Sequence, residues 1–298
     1  MIWVNQIVQG VLLGGYYALL ASGLSLMFGV MRIINLAHGD LAVLGGFLIW
    51  VISDRTSISP FTALPIVLPA MAVLGWFLQR TMLERSLRGG VLVPLLTTFG
   101  LLIVIQNLLF EQFGADPRSI DIESLAYDSW TVTSDIYVAQ LAVLIFAVAV
   151  ALLGGLHLFL ARTPLGRAIR ATAEDPDTAE LVGVNARAVY ALAAAIAVAS
   201  VGLAGAFYGM RTTFAPYDGP SQLLFAFEAV VIGGLGSLWG TLIGGITLGV
   251  SQNVGAQIRP QWFLLSGYVV FLGVLAARLL LAALRARGGV RAVLGERT

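Results

Sequence analysis

The chain has 298 residues, of which 58% are hydrophobic and only 11% charged, and its net charge is +1. Soluble domains carry about 25% charged residues, so the composition points to a polytopic membrane protein, one domain over 1–298, and offers none of the basic surface that nucleic acid needs. There is no cysteine, the two histidines are His38 and His157, and all 17 basic residues are arginine. This excludes disulfides, thiol nucleophiles and Cys or three-His metal sites. A Walker A lysine is also missing, so this chain carries no cofactor, and any driving ATP-Mg belongs to another polypeptide.

A membrane span takes about 20 mostly apolar residues. Met1–Met31 has no charged side chain and no positive leader, so it is expected to be a retained first span centred on Ile7–Met27. Further apolar runs follow at Leu36–Ile52, Phe61–Leu78, Val91–Phe110, Tyr137–Leu160 and Val189–Met210. The uncharged stretch Ala229–Ile258 is interrupted by glycines, and Phe263–Leu284 is the last run. Arginine placement sets orientation. Arg80, Arg85 and Arg88 mark one cytoplasmic loop and 162–187 another, whereas 111–135 carries Arg118 against six acids and faces out as a small external segment. Counting back puts the N-terminus outside. Arg285, Arg287, Arg291 and Arg297 argue for a cytoplasmic C-terminus. That parity requires a break in 229–258, with one segment ending near Gly236 and the next starting at Ser237. The expected fold is all-α, with eight or nine crossings.

Arg162–Arg187 holds four arginines and four acids and cannot lie in hydrocarbon. Asp175 before Pro176 is a helix N-cap with a first-turn proline. Asp177 puts a carboxylate at the positive end of the dipole. Gly183 suits a left-handed stop. A short helix over Pro176–Val182, held outside the membrane, is a handle for a partner protein; an ordinary connection is the plain alternative. Arg167 and Arg170 either hold the loop through Glu174, Asp175 or Glu180 or meet carboxylates on that partner.

Polar groups near hydrocarbon are costly, about 2.5–3.5 kcal/mol for Asp at a helix centre, and usually face a cavity or partner. Asn35, His38, Gly39 and Asp40 open the second run, where Asn35 and Asp40 also read as helix-end residues. Glu228 precedes Gly233, Gly234 and Gly236. There the glycines serve close packing or free backbone groups for a polar solute, and Glu228 either reaches water or meets a substrate ammonium. Ser25 with His38 is the one nucleophile–base pair worth naming, and nothing orients it. His157, Trp130, Trp239 and Trp262 read as interfacial or packing residues.

Three stretches carry a resemblance. They are Gly166-Arg167-Ala168-x-Arg170-Ala171-x-Ala173-Glu174-Asp175 with Ala179-x-Leu181-x-Gly183-x-Asn185; Tyr17 through Gly23, Ser25, Gly29 and Asn35 to Ala37-His38-Gly39; and Gly233-Gly234-x-Gly236-Ser237-x-x-Gly240. They resemble the branched-chain amino acid ABC-transporter permeases, in particular the shorter of the two paired permease subunits. The likeness runs from about Gly14 to Val254 and departs at the C-terminus, where Ala276–Gly288 lacks a proline-glycine turn. It implies an inner-membrane subunit that pairs with a second permease, a paralogue, and works by alternating access with two ATPase subunits and an external substrate-binding protein. In that setting Gly166, Arg167, Arg170, Glu174, Asp175, Pro176, Ala179, Leu181 and Gly183 would couple to the ATPase. Ser25, Asn35, His38, Gly39, Asp40, Glu228, Gly233, Gly234 and Gly236 would lie by the translocation path. The rivals are an ATP-independent secondary transporter or channel and an intramembrane enzyme.

Overall fold

The computed structural model describes residues 2–90, 92–122, 125, 128–133 and 136–295, with side chains described to residue 281 apart from 88, 132, 133 and 136. The elements in chain order are α1 (Ile2–Met31), α2 (His38–Thr56), α3 (Pro60–Leu78, continued by a π-turn Gln79–Leu83 to Ser86), α4 (Leu92–Phe113), the hairpin β1 (Ser129–Thr133) and β2 (Ile136–Ala139), α5 (Gln140–Arg162), α6 (Pro164–Glu174), α7 (Pro176–Leu181), α8 (Ala186–Arg211), α9 (Gly219–Gly233), α10 (Leu238–Ile258) and α11 (Trp262–Gly295). The helices make this an all-α membrane-embedded fold. The arginines of the tail and Glu123 and Asp135 lie outside the described residues or side chains.

α1 is the hub. It is apolar on every side, as a fully surrounded helix must be, and 89% of its most apolar window is buried. It packs closest on α10, then on α8, α5 and α9. Gly10 and Gly14 let the α10 backbone approach: a Cβ at Gly14 would stand 2.4 Å from the Ile246 Cα. Small residues do the same between α2 and α8, where a Cβ on Gly205 would stand 1.7 Å from the Ala42 carbonyl oxygen. Close backbone packing of this kind replaces the hydrophobic drive that lipid removes. In α11 only 6% of the apolar window is buried, so its apolar face is left to lipid or a partner.

The two ends differ in charge. At the arginine-rich end, Met27, Met31, Leu83, Ile169 and Val189 form one apolar cluster, and Glu84 joins Arg80 at 3.7 Å and Arg187 at 3.3 Å. At the acidic end, Arg118 pairs its backbone with Phe214 in both directions at 2.8 Å, and its guanidinium stacks 4.9 Å from the Trp50 ring centre.

Among the described residues six helices are long and apolar enough to cross a membrane: Ile2–Met31, Pro60–Ser86, Leu92–Phe113, Gln140–Arg162, Ala186–Arg211 and Trp262–Leu281. A bent pair, Pro216–Gly233 with Leu238–Ile258 at 114°, makes a seventh unit. The difference from eight or nine lies in α2. It starts at His38, two residues later than the expected run, and beside the middle of α1: the His38 ring nitrogen Nε2 lies 2.9 Å from the Leu20 carbonyl oxygen. Residues 32–37 therefore fold back along α1, and α2 begins half-way through. The bend falls at the expected glycines. α9 stops at Gly233, Gly234 and Gly236 take φ of +106° and +81°, and the Ser237 hydroxyl caps α10 by accepting the Gly240 amide at 3.1 Å. Arg278 on α11 holds the break by donating to the Ile232 carbonyl at 2.9 Å.

Three local expectations need correction. The fifth span starts at Gln140, because Tyr137–Ala139 belong to β2, paired antiparallel with β1. The external segment is thus partly a hairpin. Arg162–Arg187 contains two helices, since Pro164–Glu174 is also helical.

Candidate functional site

Two regions collect the predicted residues. The first is the projection at the arginine-rich end. Thr163 caps α6 by accepting the Gly166 amide at 2.9 Å, with Pro164 in the first turn. Gly166 lies where the chain turns back on α5, and a Cβ there would meet the Phe159 carbonyl oxygen at 2.2 Å. α6 is strongly amphipathic: Gly166, Ile169 and Thr172 face inward, while Arg167 and Arg170 face out. Neither arginine belongs to the ion pairs among the described residues, both of which use Glu84.

The Asp175 carboxylate then caps α7, accepting the Asp177 amide at 3.1 Å and the Thr178 amide at 3.2 Å. The Thr178 hydroxyl adds a third bond, and together these hold the Asp175 pKa below its ordinary value. A lowered carboxylate pKa means the cap is complete above the ordinary range and is lost as pH falls through the folded value. At the other end the Gly183 amide donates to the Glu180 carbonyl at 3.0 Å and the Val184 amide to Ala179 at 3.1 Å. These are the paired bonds of a Schellman stop, and Gly183 supplies its left-handed residue at φ +88°. Asn185 caps α8 by accepting the Ala188 amide at 3.0 Å. α7 is thus fixed at both ends. Ala179 is turned inward at 3% exposure, whereas Leu181 is 87% and Val182 76% exposed. Two large apolar side chains are thus exposed side by side at the tip of a projection that is capped at both ends.

The second region lies inside the bundle. Asn35 accepts the Ala37 amide at 3.0 Å and steadies the folded-back loop, as a local turn residue. Gly39 at the start of α2 meets the start of α9: a Cβ there would stand 1.8 Å from the Gly219 carbonyl oxygen. Ser25, His38 and Asp40 are fully buried and Glu228 is 1% exposed. Ser25 and both carboxylates make no hydrogen bond of ordinary geometry among the described residues, although the Gln106 side chain faces Asp40. Buried polar groups are normally satisfied, so this accumulation marks the region. Ser25 and His38 do not form a nucleophile–base pair, because His38 bonds Leu20 and Ser25 bonds nothing described. Gly233 packs on Gly240, and Gly234 and Gly236 make the turn. Asn35 and His38 lie against α1, and Gly39 and Asp40 against the start of α9; Glu228, Gly233, Gly234 and Gly236 lie on the bent pair. Among the described residues no group of three metal-binding side chains occurs.

Sequence reasoning missed the polar pairs that tie α1 to the bent unit. Tyr16 donates to Gln222 and Tyr17 to Gln252, both at 2.6 Å. The available signal was two glutamines inside apolar runs.

The profile described as "Branched-chain amino acid transport system / permease component" matches residues 6–276. The chain is 30% identical over 270 residues to the high-affinity branched-chain amino acid transport system permease protein BraD of Pseudomonas aeruginosa, covering 86% of this chain and 87% of that one. It is 31% identical over 271 residues to the corresponding LivH of Escherichia coli strain K12, covering 85% and 86%. To that strain's LivM it is 26% identical over 282 residues, covering 86% of this chain and 65% of LivM. No solved structure matches. With the profile running nearly end to end over the same bundle, broken helix and capped projection, the chain belongs to the family of branched-chain amino acid transport system permease components.

Proposed function

We propose that this chain is the permease subunit of an ABC importer in a bacterial-type inner membrane. It moves branched-chain amino acids or similar small polar solutes by alternating access. The observation that carries this reading is the capped projection Pro176–Leu181, apolar at its tip, on a bundle that belongs to this permease family. The arginine-rich end is then cytoplasmic and the acidic end external. The N-terminus lies outside, and α9, α10 and α11 return the C-terminus to the cytoplasm. Counting α2 as a span and the bent pair as one unit gives eight.

ATP-Mg is bound by two separate ATPase subunits, and this chain catalyses no covalent step. Their closure moves α7, which is joined through Asn185 to α8 and through α6 to α1 and α5. A rigid link of this kind passes a displacement at the tip into the spans. The second permease is a paralogue, as LivH and LivM are two different permease proteins of one system in Escherichia coli. An external binding protein delivers substrate at the acidic end. Ser25, Asn35, His38, Asp40, Glu228 and the glycine break line or border the path.

Reconstitution tests the reading. Leucine uptake into vesicles is expected to require ATP and the ATPase subunits; uptake driven by an ion gradient without them would favour a secondary transporter. Gly183→Val is expected to lower uptake by about tenfold while assembly survives. A left-handed backbone costs a non-glycine residue about 1–2 kcal/mol, and a β-branched one more, so the tip loses its stop. Asp40→Asn, close in size, is expected to reduce uptake about tenfold with little change in yield. Unchanged uptake with a lower melting temperature would make Asp40 a helix-end residue only.

A further inference from the structure

Two cavities at the acidic end share a border. The wider, of about 600 Å³, lies between segment 119–122, the last turn of α8 and the start of α5. The narrower, of about 130 Å³, sits among α1, α5, α10 and α11. Gln9, Ala142 and Arg211 line both. Arg211 is the last residue of α8, and its guanidinium carbon stands 5.5 Å from the centre of the Tyr16 ring. It belongs to neither ion pair found among the described residues. Asp121 lines the wider cavity as well, so the junction holds one cation and one carboxylate beside a helix end that carries about half a negative charge.

The narrow cavity has a different character. Leu12, Leu13, Ile145 and Phe263 line its walls, with Tyr16 and Asn253 as the added polar groups. Its volume equals about four waters at ~30 Å³ each, the size of a short branched alkyl group. One cation at the mouth of the recess, with the Asp121 carboxylate on the adjoining cavity, matches a zwitterion with a single carboxylate and an aliphatic body. A phosphate dianion would call for more than one cation, and a neutral polar solute would leave both the charge and the recess unused. Guanidinium also holds a carboxylate through two parallel bonds, which an ammonium does not.

We propose that Arg211 and the recess beside it form an external receiving site for an α-amino acid with an aliphatic side chain, the guanidinium taking the carboxylate and Leu12, Leu13, Ile145 and Phe263 the side chain. The proposal rests on the importer reading and adds to it the place where substrate first meets the permease.

The absence of native cysteine allows a direct test. A single cysteine at Ala142, or at Thr213 on the wider cavity, is labelled with a membrane-impermeant maleimide in the assembled transporter. Leucine is expected to slow labelling at least fivefold, whereas leucinamide, which keeps the side chain but lacks the carboxylate, does not. Arg211→Gln is expected to raise the leucine concentration for half-protection at least tenfold while the unprotected labelling rate stays the same, and Arg211→Lys to restore only part. Equal protection by leucinamide, or unchanged protection in Arg211→Gln, would overturn the assignment. ATP-driven uptake in the same preparation separates the two readings. Uptake without protection sinks the receiving site alone; protection without uptake upholds the site and sinks the importer.

Discussion

Leu181→Asp is expected to abolish ATP-driven uptake while leaving the permease folded and in the membrane. Leu181 is 87% exposed at the tip of α7 and touches little of its own chain, so its replacement costs the free subunit almost nothing. On the proposed coupling, the same side chain enters an apolar cleft of the ATPase in the assembled importer. An unpaired carboxylate buried there costs about 3–5 kcal/mol, and each ~1.4 kcal/mol is tenfold in affinity, so docking weakens by more than about 100-fold. Co-purification of the ATPase with the permease and uptake in vesicles measure it. Normal uptake by the variant would remove the apolar tip from the coupling surface. Leu181→Asn, which removes the apolar anchor without adding a charge, separates a local charge effect from loss of the anchor.

Gly39→Val is expected to prevent accumulation of the folded chain. A Cβ at Gly39 would stand 1.8 Å from the Gly219 carbonyl oxygen, and the obstructing atom is backbone, so no rotamer change relieves it. Even Gly39→Ala is expected to cost about 3 kcal/mol, the upper end of ordinary overpacking, because the starts of α2 and α9 must part. That separation would also expose Asp40, whose carboxylate oxygen lies 2.0 Å from where a Cβ on Gly219 would be. Gly154→Ala is the control. Nothing lies within 4 Å of its added carbon, and alanine gains up to about 1 kcal/mol of helix propensity over glycine. Yield, thermal stability and dispersity in detergent report the difference. Folded, stable Gly39→Val would contradict the close approach.

These predictions show where the fold was legible. Asp175, Pro176 and Gly183 specify a helix by local chemistry, and the structure uses each in the expected role. The same signal stands at Thr163-Pro164, but the helix it opens depends on Ile169, which packs with Met27, Leu83 and Val189 far away in sequence. Hydropathy located the apolar runs but not the depth at which α2 begins, which depends on a fold-back of 32–37 against α1 that no local pattern encodes. The π-turn at Gln79–Leu83 and the Arg278 tie to Ile232 are tertiary for the same reason. The glycines of 233–240 predict a break, and the chain bends there, with Gly234 and Gly236 at positive φ. At the candidate coupling surface, sequence matching singled out Ala179 and Leu181 alike. Burial separates them, since Ala179 at 3% exposure shapes the projection while Leu181 forms its face.

That distinction chooses the site for the most direct test. A single cysteine is placed at Leu181 in this cysteine-free chain and the transporter is assembled with an ATPase carrying one cysteine in the cleft beside its nucleotide site. Crosslinking is measured with and without ATP. The account predicts a crosslink whose yield changes with nucleotide, and none from Ser57 at the acidic end. No crosslink from Leu181 or Val182, in an assembly that hydrolyses ATP and takes up leucine, would contradict it and return α7 to an ordinary connection between two spans.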